Sequence, residues 1–295
     1  MDTQLLVIAG PTASGKTAVA IQVARRMGAE IVSADSQQVY RHFDIGTAKP
    51  TEEERAAVPH HLVSVVEPDE AFSAARYQAL ADDAISAIQA RGRPVVVVGG
   101  TGLYLRVLLH GVVEAPPRDE ALRSRLEEEA SAGGREALHA RLAVIDPEAA
   151  ARIAPTDLVR IIRALEIHTL TGETASAHRA RHAFSGARYP FRMFVLDPPR
   201  EALYAAINAR TRRMFEHGLL DEVRALTAQG HRQAAPMRSV GYAEALEIVE
   251  GRLTVEEGIA LAAQSTRNYA KRQWTWFRKE QGAVFIPPPF LDRIS

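Results

Sequence analysis

Leu5-Leu6-Val7-Ile8-Ala9-Gly10-Pro11-Thr12-Ala13-Ser14-Gly15-Lys16-Thr17 is the stretch that decides how the rest of this chain is read. The apolar run from Leu5 to Ala9 shows no alternation, which predicts a strand covered on both faces. Gly10 to Thr17 then fit the pattern G-x-x-x-x-G-K-[ST], and residues 14–27 carry helical spacing closed by Gly28. In that setting backbone N–H groups turn inward on phosphate oxygens and the helix N-terminus adds a favourable dipole field. Gly10, Pro11, Thr12, Ala13, Ser14, Gly15, Lys16 and Thr17 are therefore the candidate phosphate cradle. Within it Lys16 neutralises the outer phosphate, and the Thr17 hydroxyl is the candidate ligand for Mg2+. The cradle recognises a polyphosphate without saying which one, or what becomes of it.

Working outward, short strands are expected over residues 31–33, 62–66 and 95–98. A helix over 73–90 carries Tyr77, Leu80, Ala84 and Ile88 at helical spacing. Alternating strands and helices predict an α/β fold. From Ala115-Pro116-Pro117 to Tyr189-Pro190 only helical periodicity remains, broken at Gly133-Gly134, at Asp146-Pro147 and at Gly172. The expected architecture is a P-loop NTPase-like parallel sheet flanked by helices, over residues 1–113 and 193–295, with an all-helical insertion over 114–192. Strand character returns over 191–196, followed by helices over 201–217, 219–228, 240–250 and 254–279. A last strand over 284–286 leads to a peripheral tail holding Pro287-Pro288-Pro289.

The 295 residues are 46% apolar and 24% charged, which excludes disordered and collagenous classes. There is no cysteine, so disulfides, thiolate metal sites and cysteine nucleophiles are excluded. No basic n-region precedes the short run at Leu5, and no stretch reaches about 18 apolar residues, so a cytoplasmic protein without a membrane span is expected. Basic and acidic residues balance at 36 each, so no global field advertises nucleic acid. Only four of the basic residues are lysines: Lys16, Lys49, Lys271 and Lys279. In a chain that otherwise uses arginine, they hint at places where a compact point charge is needed.

A triphosphatase or kinase should place an acid after another apolar strand to hold magnesium. The run Val95-Val96-Val97-Val98 leads instead into Gly99-Gly100-Thr101-Gly102. An aspartate does follow the second strand, in Asp35-Ser36-Gln37-Gln38-Val39-Tyr40, at the carboxyl edge where α/β proteins bind ligands. From the residues alone Asp35 is a metal ligand, a general base or the N-cap of a following helix.

The set of motifs now in view resembles the tRNA dimethylallyltransferases. The matching segments are Gly10 to Thr17, Asp35 to Tyr40, Asp44-Ile45-Gly46-Thr47-Ala48-Lys49-Pro50 and Pro59-His60-His61-Leu62. Further along come Gly99 to Tyr104, Arg160 to Glu166, Gly218 to Val223, Ser239-Val240-Gly241-Tyr242 and Ala270 to Arg278. The resemblance implies transfer of a dimethylallyl group from dimethylallyl diphosphate to the exocyclic amine of an adenosine 3′ to the tRNA anticodon, with release of pyrophosphate. It makes Asp35 the base for that amine, Thr101 a group that places the reactants, and Arg210 a diphosphate contact beside Lys16. Without the family, Arg210 reads as a solvated surface arginine.

The resemblance also places tRNA contacts at Asp35, Ser36, Gln37, Gln38, Thr101, Arg123, Val159, Arg160, Ile161, Ile162 and Arg163. Others fall at Arg238, Ser239, Val240, Gly241, Tyr242, Ala243, Lys271, Arg272, Gln273, Trp274, Thr275, Trp276, Phe277 and Arg278. Two basic stretches free of acids suit an RNA backbone: residues 176–192 with Arg179, Arg181, Arg188 and Arg192, and residues 266–279. Trp274 and Phe277 share a helix face and read equally as core, which leaves Trp276 as the stacking candidate. His60, His61, His178 and His182 read as surface histidines, since no third metal ligand is near in sequence. A monomer is the default, and a small-molecule P-loop kinase and a nucleotide-switched RNA-binding module are the alternative readings.

Overall fold

The structure is a computed structural model that describes residues 4–112, 115–182 and 186–294. It divides into two compact units: residues up to His110 together with those from Ala187 onward, and Gly111–Gly186. The boundary expected at 113/114 lies outside the described residues. The return boundary expected at 192 falls inside a strand, because Phe191 to Val195 pair in register with Leu5 to Ala9.

In the larger unit the elements run β1 (Leu5–Ala9), α1 (Lys16–Met27), β2 (Glu30–Ser33), α2 (Glu52–Ala57), β3 (His60–His61), α3 (Ala74–Ala90), β4 (Val95–Gly99) and α4 (Gly102–His110). The smaller unit holds α5 (Glu120–Gly133), α6 (Arg135–Ile145), α7 (Pro147–Arg152), α8 (Leu158–Thr171) and α9 (Ala175–His182). The larger unit resumes with β5 (Phe191–Leu196), α10 (Arg200–Glu216), α11 (Leu219–Ala228), α12 (Tyr242–Val249), α13 (Val255–Phe277) and β6 (Ala283–Ile286). The six strands form one all-parallel sheet in the order β3-β2-β4-β1-β5-β6.

The apolar runs are central strands for the reason their patterning suggests. Ile8, Ile31, Val96, Phe194 and Leu196 pack with Val19, Ala20 and Val23 of α1 in one buried cluster. A second cluster joins Val39, Phe43 and Val66 to Leu219, Val223 and Tyr242. The helical unit has its own core, in which Leu122, Leu126, Leu142, Ile161, Ile162 and Leu165 meet. Glu166 is fully buried there, and accepts from the Asp119 amide at 2.8 Å and from Arg163 at 2.5 Å.

Residues 62–66 depart from the expected strand. Leu62 and Ser64 have φ of 63° and 55°, and only Val66 makes an isolated bridge, to Tyr40. Ladder pairing stops at His61 because such left-handed residues cannot continue a pleat. His60 and His61 are half-buried, not surface residues: His61 lies 2.7 Å from the buried Glu30, which Arg91 also contacts at 2.7 Å.

The carboxyl ends of β2 and β4 set the geometry of everything beyond them. A Cβ at Gly99 would stand 2.1 Å from the Ala34 carbonyl oxygen, so the strands close up only because Gly99 has none. Gly99→Ala should therefore cost about 1–3 kcal/mol of overpacking or more. Urea unfolding should show a lower midpoint at unchanged slope, and a midpoint equal to that of the unsubstituted protein would mean that the strands can part freely.

Candidate active site

The cradle forms because the loop takes up conformations that most residues avoid. Gly15 (φ 86°) caps α1 with no side chain, and Gly10 (φ 148°) lies where a Cβ would be 3.0 Å from the Leu196 carbonyl. Ala13 is held at φ 62° although it carries a Cβ. The first turn of α1 contains no acid, so its unpaired N–H groups present an uncompensated positive end. Ser14 Oγ is buried with no hydrogen-bond partner. Such an orphan suits a loop that receives an oxygen-rich ligand.

A cavity of about 540 Å³ opens over this loop, lined by Gly15, Lys16, Thr17, Asp35, Lys49, His60, Arg210 and Arg213 among others. Lys16 Nζ donates to the Pro11 carbonyl at 2.7 Å. Loss of water around Lys16, reinforced by Arg210 and opposed by Asp35, lowers its pKa to about 7. Arg210 is no solvated surface arginine: it is largely enclosed, donates to Thr12 Oγ1 at 2.5 Å, and burial lowers its pKa while Asp35 raises it.

A second cavity of about 310 Å³ adjoins the first and shares Thr12, Asp35, Thr47 and Arg210 with it. Its other walls include Ser36, Gln37, Met214, Phe215, Arg238, Ser239, Val240, Gly241, Tyr269 and Arg272. Lys16, Lys49, Arg210 and Arg213 crowd the first cavity, while the second adds the apolar Met214, Phe215, Leu219 and Val240 to its polar and cationic residues. Tyr269, bonded to Thr101 and Gln273, has its phenol pKa pushed up to about 12 by burial and the nearby Asp35, so it stays neutral.

Asp35 caps a turn, not a helix. Its Oδ1 accepts from the Gln37 and Gln38 amides at 2.8 and 3.2 Å, and the chain then turns through residues 36–39. This uses one carboxylate oxygen and fixes the side chain at the junction of both cavities. Thr101 lines neither. Its hydroxyl accepts from the Ser36 amide at 3.0 Å and reaches Ser36 Oγ at 3.3 Å, so it steadies the Asp35 turn from behind.

The other expected contacts separate by environment. Gln273 is buried and spends its carboxamide on the Thr12 amide and the Gly100 carbonyl. Tyr242, Phe277, Ile161 and Ile162 are core residues. Trp276 lies against Gly102 with the Arg106 guanidinium 4.3 Å from its ring centroid, so its ring is already stacked. Trp274 donates to Asp197 at 2.9 Å and, with Lys271, Thr275 and Arg278, lines a separate depression. Ala243 lies in the first turn of α12, its amide bonded to the Ser239 carbonyl. In the helical unit Val159 is exposed, Arg160 pairs with Asp157 at 3.0 Å, and Arg123 and Arg163 both reach Glu166.

The basic stretch over 176–192 is largely committed within the protein. Arg188 grips Asp82 with both guanidinium nitrogens and also the Leu108 carbonyl. Arg181 pairs with Glu173, and Arg192 sits on β5 over the Phe194 ring at 5.2 Å. No group of three or more metal-ligating side chains occurs among the described residues, and the side chain of His182 lies outside them.

Two cavity residues escape a local reading. Lys49 is carried from the 44–50 segment into the wall with its ammonium on the Tyr40 carbonyl and on Asp44 at 2.6 Å; the scarcity of lysine was the signal for it. Arg213 reaches the cavity because it follows Arg210 by one helical turn.

Fold and site together define a P-loop α/β protein with a phosphate cradle and an adjoining second cavity. Residues 38–280 match the family model described as IPP transferase, and the chain belongs to that family. It is 66% identical to the tRNA dimethylallyltransferase of Myxococcus xanthus, over 97% of this chain and 93% of that one. It is 46% identical to the tRNA dimethylallyltransferase of Geobacter metallireducens at the same coverage. Among solved structures it is similar to the full-length tRNA isopentenylpyrophosphate transferase of Bacillus halodurans (TM-score 0.70, 41% identity, 97% of this chain and 90% of that one). A eukaryotic dimethylallyltransferase acting on tRNA superposes with a TM-score of 0.82 at 27% identity, covering 97% of this chain and 74% of that one. Among the described residues no helix is long and apolar enough to cross a membrane.

Lys16 supplies a pH test. Its folded-state pKa of about 7 lies below the ordinary 10.5, so between those values it has lost a proton that an anion in the cradle would restore. Pyrophosphate binding to metal-free protein at pH 8.5 should take up close to one more proton than binding to Lys16→Met, read by calorimetry in buffers of different ionisation enthalpy. Affinity should also fall with rising pH above 7, by up to about tenfold per unit more steeply than in the variant. Equal proton uptake by the two proteins would remove Lys16 from anion binding.

Proposed function

We propose that this chain is a tRNA dimethylallyltransferase, which transfers the dimethylallyl group of dimethylallyl diphosphate to the exocyclic N6 amine of the adenosine 3′-adjacent to the anticodon. The observation that carries this reading is the pair of cavities meeting at Asp35, Arg210, Thr12 and Thr47. The larger one suits the donor: Lys16, Arg210 and Arg213 and the N-terminal amides of α1 surround the place for a diphosphate. The smaller one suits a single unstacked base, since about 300 Å³ is the lower end of ligand-pocket sizes. A base within the stack cannot be reached, so the adenosine must be turned out to enter it.

The chemistry then follows from position. The carbon–oxygen bond of the donor breaks and a carbon–nitrogen bond to the amine forms, while the leaving diphosphate gains charge. Lys16 and Arg210 are placed to hold that charge, a contribution realised most strongly in the transition state. The proton lost by the amine goes to Asp35, whose second oxygen is left over by the turn. Thr17 lines the donor cavity beside Lys16, and its hydroxyl, a hard oxygen donor, would be the residue that holds Mg2+ there. That ion, when bound, would add positive charge at the leaving group. A phosphoryl-transfer reading lacks an acid at the end of β4, where Gly99 and Gly100 stand.

Asp35→Asn separates base from cap. The amide oxygen of asparagine still accepts from Gln37 and Gln38, so folding should be little changed. It cannot take the proton, so single-turnover transfer to saturating tRNA should drop roughly 10² to 10⁴-fold, with pyrophosphate affinity retained. A variant within about threefold of the unsubstituted protein would contradict the base assignment.

A further inference from the structure

The 44–50 segment walls both cavities through its last five residues: Gly46 and Thr47 face the smaller, and Thr47 to Pro50 the larger. This wall is irregular backbone, with Ala48 at φ 51°, and it needs an outside support. The support is a carboxylate–phenol pair. Glu222 of α11 accepts from the Asp44 and Ile45 amides at 3.1 and 2.9 Å through Oε2. Its Oε1 accepts from the Tyr242 hydroxyl, and that hydroxyl in turn accepts from the Gly46 amide at 3.1 Å. Three consecutive amides are thus fixed by two side chains that line neither cavity. The Tyr242 ring lies so close that a Cβ on Gly46 would be 2.4 Å from it, and its other edge packs on Phe43 at 4.9 Å.

We propose that Glu222 and Tyr242 are positioning residues for the transfer reaction, which set the height of the 44–50 wall against Asp35 and so determine how donor and acceptor meet. This rests on the prenyl-transfer reading, and it gives Tyr242 a role through the wall in place of a direct contact with tRNA. The pair is suited to the task because it is rigid. Tyr242 is fully buried, and burial beside the Glu222 carboxylate raises its pKa far above the ordinary phenol value, so the hydroxyl keeps its proton. From the other side Gln38 donates to the Thr47 and Ala48 carbonyls at 3.2 and 3.0 Å, so amides and carbonyls of one loop are held from opposite sides.

The test compares Glu222→Ala, Glu222→Gln and Tyr242→Phe for donor kinetics, tRNA affinity, hydrogen exchange and thermal unfolding. Glu222→Ala frees two amides, and kcat/KM for dimethylallyl diphosphate should fall about 10 to 100-fold, the scale expected of a small misplacement near reacting groups. Tyr242→Phe keeps the ring and removes only the hydroxyl, so a smaller loss of about 3 to 10-fold is expected. Glu222→Gln retains an acceptor oxygen and should restore most of the activity. Exchange should quicken at residues 44–50 while β1 and β4 keep their protection, and tRNA affinity should stay within about threefold. Because exchange is read without turnover, failure of this proposal and failure of the prenyl-transfer reading are distinguishable. Donor kinetics within twofold of the unsubstituted protein in both Glu222→Ala and Tyr242→Phe would overturn it. So would a loss in tRNA affinity equal to the loss in rate, which marks Tyr242 as a direct contact, or faster exchange throughout the sheet. If Glu222→Ala fails to fold, Tyr242→Phe decides alone.

Discussion

The Gln273 carboxamide accepts from the Thr12 amide at 2.7 Å and donates to the Gly100 carbonyl at 2.9 Å, so one buried side chain holds the phosphate loop and the turn after β4 at a fixed separation. Without it, two backbone groups on different loops would lose their partners at once, which is costly above all for the buried Gly100 carbonyl. Thr12 passes the constraint on, since its hydroxyl takes the Arg210 guanidinium. Gly100 passes it to Thr101, which anchors Ser36 and hence the Asp35 turn. Asp35, Arg210 and the cradle thereby share one frame, and α13 supplies its keystone.

That arrangement explains why the C-terminal helix carries so mixed a sequence. Ala270, Gln273 and Phe277 are buried on one side, while Lys271, Arg272, Thr275 and Arg278 are exposed on the other. Arg272 lines the smaller cavity, and Lys271 and Arg278 line the separate depression beside Trp274. A helix that braces the phosphate loop and the turn after β4 from within can also present cations outward, because the two periodic faces do not compete. The charge balance of the chain conceals this: most arginines of the 176–192 stretch face an acid or an aromatic ring, as Arg181 does with Glu173 and Arg188 with Asp82.

Much of this was legible from local pattern. The Leu5–Ala9 run, the glycine loop and the helix after it are decided by neighbouring residues, and so are the helical breaks at Gly133-Gly134, Asp146-Pro147 and Gly172. What escaped depends on partners distant in sequence. Arg210 reads as a surface residue until the fold brings Thr12 to it, 198 residues away. Trp276 reads as free to stack until Gly102 and Arg106 fill its faces. Residues 62–66 have strand composition, but left-handed backbone at Leu62 and Ser64 turns them out of the sheet. The Glu222–Tyr242 support has no local signature at all, because its two halves meet only through α11 and α12.

If donor and acceptor occupy the two cavities that meet at Asp35, a crystal structure with both ligands bound will show it. The donor would be the sulfur-bridged analogue of dimethylallyl diphosphate, which resists cleavage, and the acceptor an anticodon stem-loop. The diphosphate is expected against Lys16 and Thr17, the flipped base between Arg238–Gly241 and Tyr269, and its exocyclic amine within hydrogen-bond reach of Asp35. A structure with the base seated in the depression beside Trp274, or with the diphosphate away from the cradle, would contradict it.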